Sequence, residues 1–380
     1  KGGWKYVRND SKRARLVQDK PESMRAIPWV VCNWLNQIMG EQVEAYSYRT
    51  TEITLQKKTQ KWVDRGFKYM LATDFSAMDS CVYGETKDAI ENQIIRFLWP
   101  TFRKKLQAMK FHSRQIDRAF IYLTNNYQTF KWRDGDFRGC IKVKGGRASG
   151  DPKTTFGNTM ATIVLMELAI RLSGNKAKVT CSGDDSLIFA RNKDEAMEIL
   201  DQLKKWTVLR ADDKKPCSGF IIPQSDINHS DIQNEFCSKV ITITTGKVCV
   251  TPKIDNFIFN SRSYTGHSRI MISNPKEHRL AVAQSKHYAS KNAFFLSLVA
   301  EVWSLGTEET TLHFKLGEWI KKFGDFWLRI SEESQELVSH YDRAVILQCQ
   351  RLGWDYHQTC IANATNYDHG LNRLDVILSR

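Results

Sequence analysis

The sequence predicts an α+β protein in which a small antiparallel sheet is backed by helices and followed by an all-helical region. Three observations predict it: strand-length apolar stretches bounded by tight-turn dipeptides, helical periodicity between them, and only helical patterns from about residue 255 onward. Residues 69–75 (YMLATDF) read as a buried strand. In 85–99, Ala89, Ile90, Ile94, Phe97 and Leu98 recur at helical spacing, and Pro100 should end that helix. A basic helical stretch follows over 103–124. Residues 131–143 alternate about Asp134-Gly135, a dipeptide suited to a hairpin turn. The mostly apolar 154–172 predicts a long helix, and 178–190 predicts strand, tight turn and strand about Gly183-Asp184-Asp185. Ala196, Ile199, Leu200, Leu203 and Trp206 mark one face of a helix over 194–206, and 241–250 turns at Thr245-Gly246. The last region has helical patterns at 277–303, 311–330 and 332–352, interrupted by Gly306, Gly317, Gly324 and Gly353. No internal repeat or low-complexity tract interrupts this order.

Charge narrows the partners. With 56 Lys and Arg against 42 Asp and Glu, the chain of 380 residues carries +14 and should attract polyanions. Hydrophobic residues at 42% and aromatics at 11% suffice for a core, which excludes a disordered polyelectrolyte. The longest apolar run, 160–170, is broken by Thr162 and Glu167 and falls short of the ~18 residues of a membrane span. No signal peptide opens the sequence. Nine cysteines without repeated spacing do not describe a disulfide scaffold, and a reducing, intracellular setting is expected. A start at Lys1 rather than methionine leads us to expect a piece of a longer product. The first 25 residues hold eight basic side chains against three acids, beside Trp4 and Tyr6. They form either a solvated basic arm or the lining of a phosphate channel.

Carboxylates in apolar surroundings need a physical reason. Asp74 to Asp79 (DFSAMD) follows the first strand, and Asp184-Asp185 sits at a hairpin turn. Converging at one sheet edge, such groups repel and raise each other's pKa unless a cation intervenes. Mg²⁺ is held by one or two carboxylates with water and substrate phosphates, and a pair of such ions serves phosphoryl transfer. Each motif alone is also compatible with an ordinary surface turn. Between them, the Ser149-Gly150 step lets backbone approach a substrate closely, and Asn158 shares a helical face with Thr154. The same loop also reads as a plain helix start, with Asp151 capping and Pro152 at the first position.

The order of these segments decides. DxxxxD, SGxxxTxxxN and GDD in succession resemble motifs A, B and C of the RNA-dependent RNA polymerases of positive-strand RNA viruses, in texture nearest the tombusvirus, nodavirus and flavivirus-like assemblage. Lys20 to Pro28 resembles motif F, the basic finger over the triphosphate. Lys214 or Lys215 resembles the motif D lysine, and Phe236-Cys237-Ser238-Lys239 resembles motif E, the primer grip. The resemblance implies a right-hand polymerase: fingers in 1–68, palm in 69–84, a helix and fingers insertion in 85–145, palm again in 146–254, and a helical thumb in 255–380.

It also implies site roles. Asp74, Asp184 and Asp185 would hold two Mg²⁺ ions, with Mn²⁺ as a substitute, and Lys214 or Lys215 would act as general acid toward the leaving pyrophosphate. Lys20, Arg25, Asp79, Ser149, Gly150, Thr154 and Asn158 would bind the nucleotide, while Arg147, Phe236, Cys237, Ser238 and Lys239 would meet RNA or primer. The implied reaction joins NTPs to an RNA 3′ end on an RNA template to copy a viral genome. Other viral replication proteins are the implied partners, in membrane-associated complexes of the host cytoplasm. Two further readings stand beside this one. A reverse transcriptase typically has a bulky aromatic where this chain has Asp79, and a non-enzymatic RNA-binding scaffold does not account for three acids in order. Near the end, Cys349, His357 and Cys360, flanked by His340 and His369, are read either as a zinc site or as buried cysteine and surface histidine.

Overall fold

The computed structural model describes residues 2–5, 15–18, 22–76, 78–134, 137–147, 150–210, 220–254, 257, 293 and 332–354. In chain order its elements begin with β1 (Gly2–Lys5), β2 (Arg15–Gln18), α1 (Glu22–Gln42), α2 (Glu52–Asp64), β3 (Tyr69–Asp74), α3 (Met78–Cys81) and α4 (Gly84–Thr86). A π-helical turn, Lys87–Glu91, leads into α5 (Asn92–Ala108), α6 (Ser113–Thr124), β4 (Tyr127–Asp134) and β5 (Phe137–Lys144). Then come α7 (Thr154–Ser173), β6 (Lys178–Ser182), β7 (Asp185–Ala190), α8 (Lys193–Trp206), β8 (Val208–Arg210) and β9 (Ile221–Pro223). A 3₁₀ turn, Gln224–Asp226, precedes β10 (Asn228–Ser230), β11 (Gln233–Phe236), β12 (Lys239–Thr244) and β13 (Lys247–Pro252), and α9 (Glu332–Arg351) is the last described helix.

The chain divides into two compact units: Lys1–Thr50 with Gly66–Asp231, and Thr51–Arg65 with Ile232–Arg380. The strands of 233–252 group with α2 and α9.

The first unit is organised by an antiparallel sheet of order β10-β3-β7-β6. Alternation and apolar content fold these strands, and polar pairs refine their register. Asp74 lies opposite Asp185, and the neighbouring Thr73 and Ser186 hydroxyls share a buried hydrogen bond of 2.6 Å. Helices α7 and α8 pack together and against this sheet, burying Met166, Ala169, Val179, Ile188, Ile199 and Leu203. Gly174, at φ +73°, ends α7 in the left-handed conformation that glycine adopts without a Cβ penalty. The side chain of Asn192 caps α8 by accepting from the Glu195 N–H at 2.9 Å.

Pro100 does not end its helix. Helix α5 runs on to Ala108 and carries Phe102 and Leu106, both fully buried, into the core. Burying two such side chains contributes about 1.5–3 kcal/mol each, enough to offset the ~3 kcal/mol cost of an internal proline. The basic stretch of 103–124 is instead split between α5 and α6, with Lys110 at φ +64°. The basic arm at the N-terminus contains the antiparallel pair β1–β2. Strands β4 and β5 pair antiparallel, with Asp134 opposite Phe137, while Gly135 of the expected turn dipeptide lies outside the described residues.

In the second unit, β11, β12 and β13 form an antiparallel sheet. Thr245 and Gly246, at φ +49° and +79°, give the hairpin turn its two left-handed positions. Gln56 and Gln60 of α2 accept hydrogen bonds from Val250 N–H (3.2 Å) and Val248 N–H (2.8 Å), satisfying outward donors of β13. Gln348 of α9 accepts from Ile254 N–H at 2.9 Å and donates to Thr251 at 2.8 Å. That helix matches the pattern of 332–352, whereas 277–303 and 311–330 lie outside the described residues. Among the described residues no helix is long and apolar enough to cross a membrane, and the seven cysteines are free thiols.

Candidate active site

Three acids meet at one edge of the first sheet because the strands bring them there. Asp74 is the last residue of β3, Asp185 opens β7 directly opposite, and Asp184 projects from the turn before it. The turn requires Gly183, which sits at φ +67°. Helix α7 grips this turn from beneath. The Thr159 hydroxyl accepts from the Gly183 N–H and the Thr162 hydroxyl donates to the Gly183 carbonyl, both at 2.8 Å. Both threonines are fully buried.

The electrostatics match the sequence-level expectation of mutual repulsion. Asp74 is pushed up to about 7, first by loss of hydration and then by Asp185, Asp184 and Asp226. Asp74 retains solvent contact, so the crowding of negative charge acts on a group that a ligand can reach. Asp226 comes from the 3₁₀ turn, and its local sequence, Gln224–Asp226, carries no motif. Among the described residues no three His, Cys, Asp or Glu side chains are gathered tightly enough to hold a metal ion by themselves. Carboxylates that leave coordination positions to water and substrate phosphates are the usual setting of Mg²⁺.

Beside the acids stands a polar pair. The Asn158 side-chain amide donates to an Asp79 carboxylate oxygen at 2.8 Å, and Asn158 Oδ1 is buried with no hydrogen-bond partner among the described residues. Thr154 opens α7, its hydroxyl donating to the Asp151 carbonyl at 2.8 Å. Asp151 accepts from the Lys153 N–H at 2.9 Å, a turn that precedes the helix, whereas α7 itself begins at Thr154 after Lys153 with no side-chain cap, so Asp151 and Pro152 are not its cap and first position. Gly150 lies in the turn before it, and Ser149 is outside the described residues.

Arg147 does not belong to an RNA-binding surface. Its side chain is fully buried in an ion pair with Glu91, because the loop before α7 folds inward over the π-helical turn. Arg25 lies in the first turn of α1, and Lys20, Lys214 and Lys215 lie outside the described residues. Phe236, Cys237, Ser238 and Lys239 form the β11–β12 turn in the second unit. Cys237 and Ser238 take φ of +50° and +61°, uncommon for non-glycine residues. Of the zinc candidates, Cys349 is buried in α9 and His340 lies 3.2 Å from Thr244, while His357, Cys360 and His369 lie outside the described residues.

Residues 104–258 match the family described as RNA dependent RNA polymerase, a span that holds the motif B and GDD segments but not Asp74. Among solved structures, the chain is similar to the insertion-loop deletion mutant of the RNA-dependent RNA polymerase of a human picorbirnavirus, with TM-score 0.55 and 13% identity over 89% of this chain and 64% of that one. The full polymerase of a human picorbirnavirus matches with TM-score 0.53 and 15% identity, over 84% of this chain and 59% of that one. The chain thus spans less than two thirds of the length of either polymerase. No curated protein matches. The mixed helix-and-sheet fold resembles that of these viral RNA-dependent RNA polymerases.

Proposed function

We propose that this chain carries out template-directed RNA synthesis for a viral genome, joining ribonucleotides to an RNA 3′ end. The observation that carries the reading is the meeting of Asp74, Asp184 and Asp185 at one sheet edge beside the 2.8 Å pair of Asp79 and Asn158. The acids fit a divalent cation, since Asp74 is raised to about 7 by groups of its own sign and by lost hydration. Mg²⁺ bound there, two ions in our reading, would acidify the primer hydroxyl and neutralise charge on the departing pyrophosphate.

The chain's own residues do the rest. Thr159 and Thr162 hold the Gly183 turn, and with it Asp184, against α7. Asp79 and Asn158 offer a carboxylate acceptor and an amide to a ribose 2′ hydroxyl, where a reverse transcriptase would place a bulky aromatic. Lys20 and Arg25 toward the triphosphate, Lys214 or Lys215 as general acid, and Phe236 to Lys239 as primer grip complete the reading. The fingers, palm and thumb labels belong to it, as do the positive-strand virus assemblage and other viral replication proteins as partners. So does residence in membrane-associated complexes of the host cytoplasm.

The deciding experiment is nucleotide incorporation by the purified chain on an oligonucleotide template, with and without Mg²⁺. Metal-dependent, template-directed extension with NTPs is the expected result. RNA binding without extension under any metal would favour the scaffold reading, and equal extension with dNTPs would favour the reverse transcriptase.

A further inference from the structure

Beneath the nucleotide-facing pair lies a buried cluster of five charges that the proposed chemistry does not use. Lys87 and Glu91 come from the π-helical turn, and Arg147, Asp151 and Lys153 from the segment leading into α7; none is more than 5% exposed. The Arg147 guanidinium forks onto both Glu91 oxygens and also donates to the Lys153 carbonyl at 3.2 Å. Lys153 donates to the Leu123 carbonyl at 2.7 Å, and Lys87 to the Gly146 carbonyl.

The pair lies across Gly157, the residue before Asn158. A Cβ at Gly157 would come within 2.5 Å of Glu91 Oε1, so only glycine lets the helix approach this closely. On its other side, the Arg147 main chain reaches the second member of the polar pair: its N–H donates to the Asp79 carbonyl at 2.7 Å, as the Gly146 N–H does to Val82. One residue therefore touches the backbone of Asp79 and, through its side chain, the helix position next to Asn158.

We propose that Arg147 and Glu91 form a latch that sets the approach of Asp79 and Asn158, making both positioning residues for ribose selection, an inference that rests on the polymerase reading. Glu91 is ionised for the task. Burial alone would raise its pKa, but Arg147, Lys153 and Lys87 outweigh that and hold it below the ordinary glutamate value. A planar fork is also the right tool, because it fixes direction as well as distance, which an ammonium does not.

The test compares kcat/KM for matched ribo- and deoxyribonucleotides in wild-type protein and Arg147→Lys. This variant keeps the charge of the cluster and loses the fork. The ribo-to-deoxyribo ratio should fall roughly tenfold, the scale of a misplaced hydrogen bond at a hydroxyl-reading site. The Mg²⁺ concentration for half-maximal rate should not move. An unchanged ratio, or equal losses on both substrates, would overturn the latch. Hydrogen exchange on wild-type protein covers the case in which Arg147→Lys does not fold. The Gly146 and Arg147 amides should exchange as slowly as those of β3 and β7, and exchange as fast as an open loop would overturn the proposal. Wild-type protein that incorporates no nucleotide with Mg²⁺ would overturn the polymerase reading itself, an outcome distinct from an active enzyme whose ratio ignores Arg147.

Discussion

Two charged regions of the first unit, joined by Asp79 and α7, solve opposite problems. At the sheet edge Asp74, Asp184 and Asp185 crowd like charges together, and Asp74 holds its proton up to about pH 7. Under the π-helical turn, Arg147 and Lys153 surround Glu91 and hold it ionised despite complete burial. The first region is crowded with like charge and reachable, and in the proposed reading it takes up a cation and phosphates. The second is charge-paired within the protein and closed to solvent, with Arg147 Nε left without a hydrogen-bond partner among the described residues. In the proposed reading, charge is placed here for two purposes, one to react and one to hold geometry.

The comparison is broken most forcefully at the acids. Asp184→Ala should lower incorporation by at least about a thousandfold, equivalent to ~4 kcal/mol in transition-state stabilisation, while RNA affinity, which comes mainly from Lys and Arg, stays near wild type. Extension assays paired with RNA binding check this, and measurable extension by a folded Asp184→Ala protein would sink the assignment.

Breaking the paired region should instead be felt in stability. Glu91→Ala leaves Arg147 and Lys153 buried without their anion and should destabilise the protein by about 3–5 kcal/mol in urea unfolding. A loss below about 1 kcal/mol would mean that water or Asp151 replaces the glutamate.

Between the two regions, Asn158→Ala removes one partner of the 2.8 Å polar pair. It should cost about 1–3 kcal/mol in kcat/KM for ribonucleotides and much less for deoxyribonucleotides. Equal losses would assign Asn158 to the fold.

The smallest effect sharpens the contrast by its sign. Folded Asp74 keeps its proton up to about pH 7, whereas an unfolded chain releases it near 3.8. The native state therefore gains most at low pH and loses that advantage as pH rises through about 7. Asp74→Asn, which mimics the protonated acid, should stabilise metal-free protein more at pH 8 than at pH 5, on the order of 1 kcal/mol after solvent screening. Melting in a chelator at the two pH values measures it, with added Mg²⁺ expected to narrow the difference. A carboxylate-to-amide change that stabilises one region and an acid removal that destabilises the other would set the two apart.

Local sequence determined much of this protein. Turn dipeptides placed the hairpins at Gly183 and Thr245-Gly246, and apolar runs placed β3, α7 and α8, because steric limits and periodicity act over a few residues. The order of the acids and of Asn158 was legible for the same reason: each motif lies within one turn or one helical face. Tertiary structure alone decided what distant segments do to one another. Nothing near Arg147 in sequence revealed that Glu91, 56 residues away, would draw it out of solvent, and nothing about Gln224–Asp226 placed Asp226 beside Asp74. Pro100 read as a stop until Phe102 and Leu106 found a core to fill. Burial and charge pairing are properties of assembled neighbours, so the same arginine that reads as an RNA contact in the sequence becomes, once folded, an internal tie.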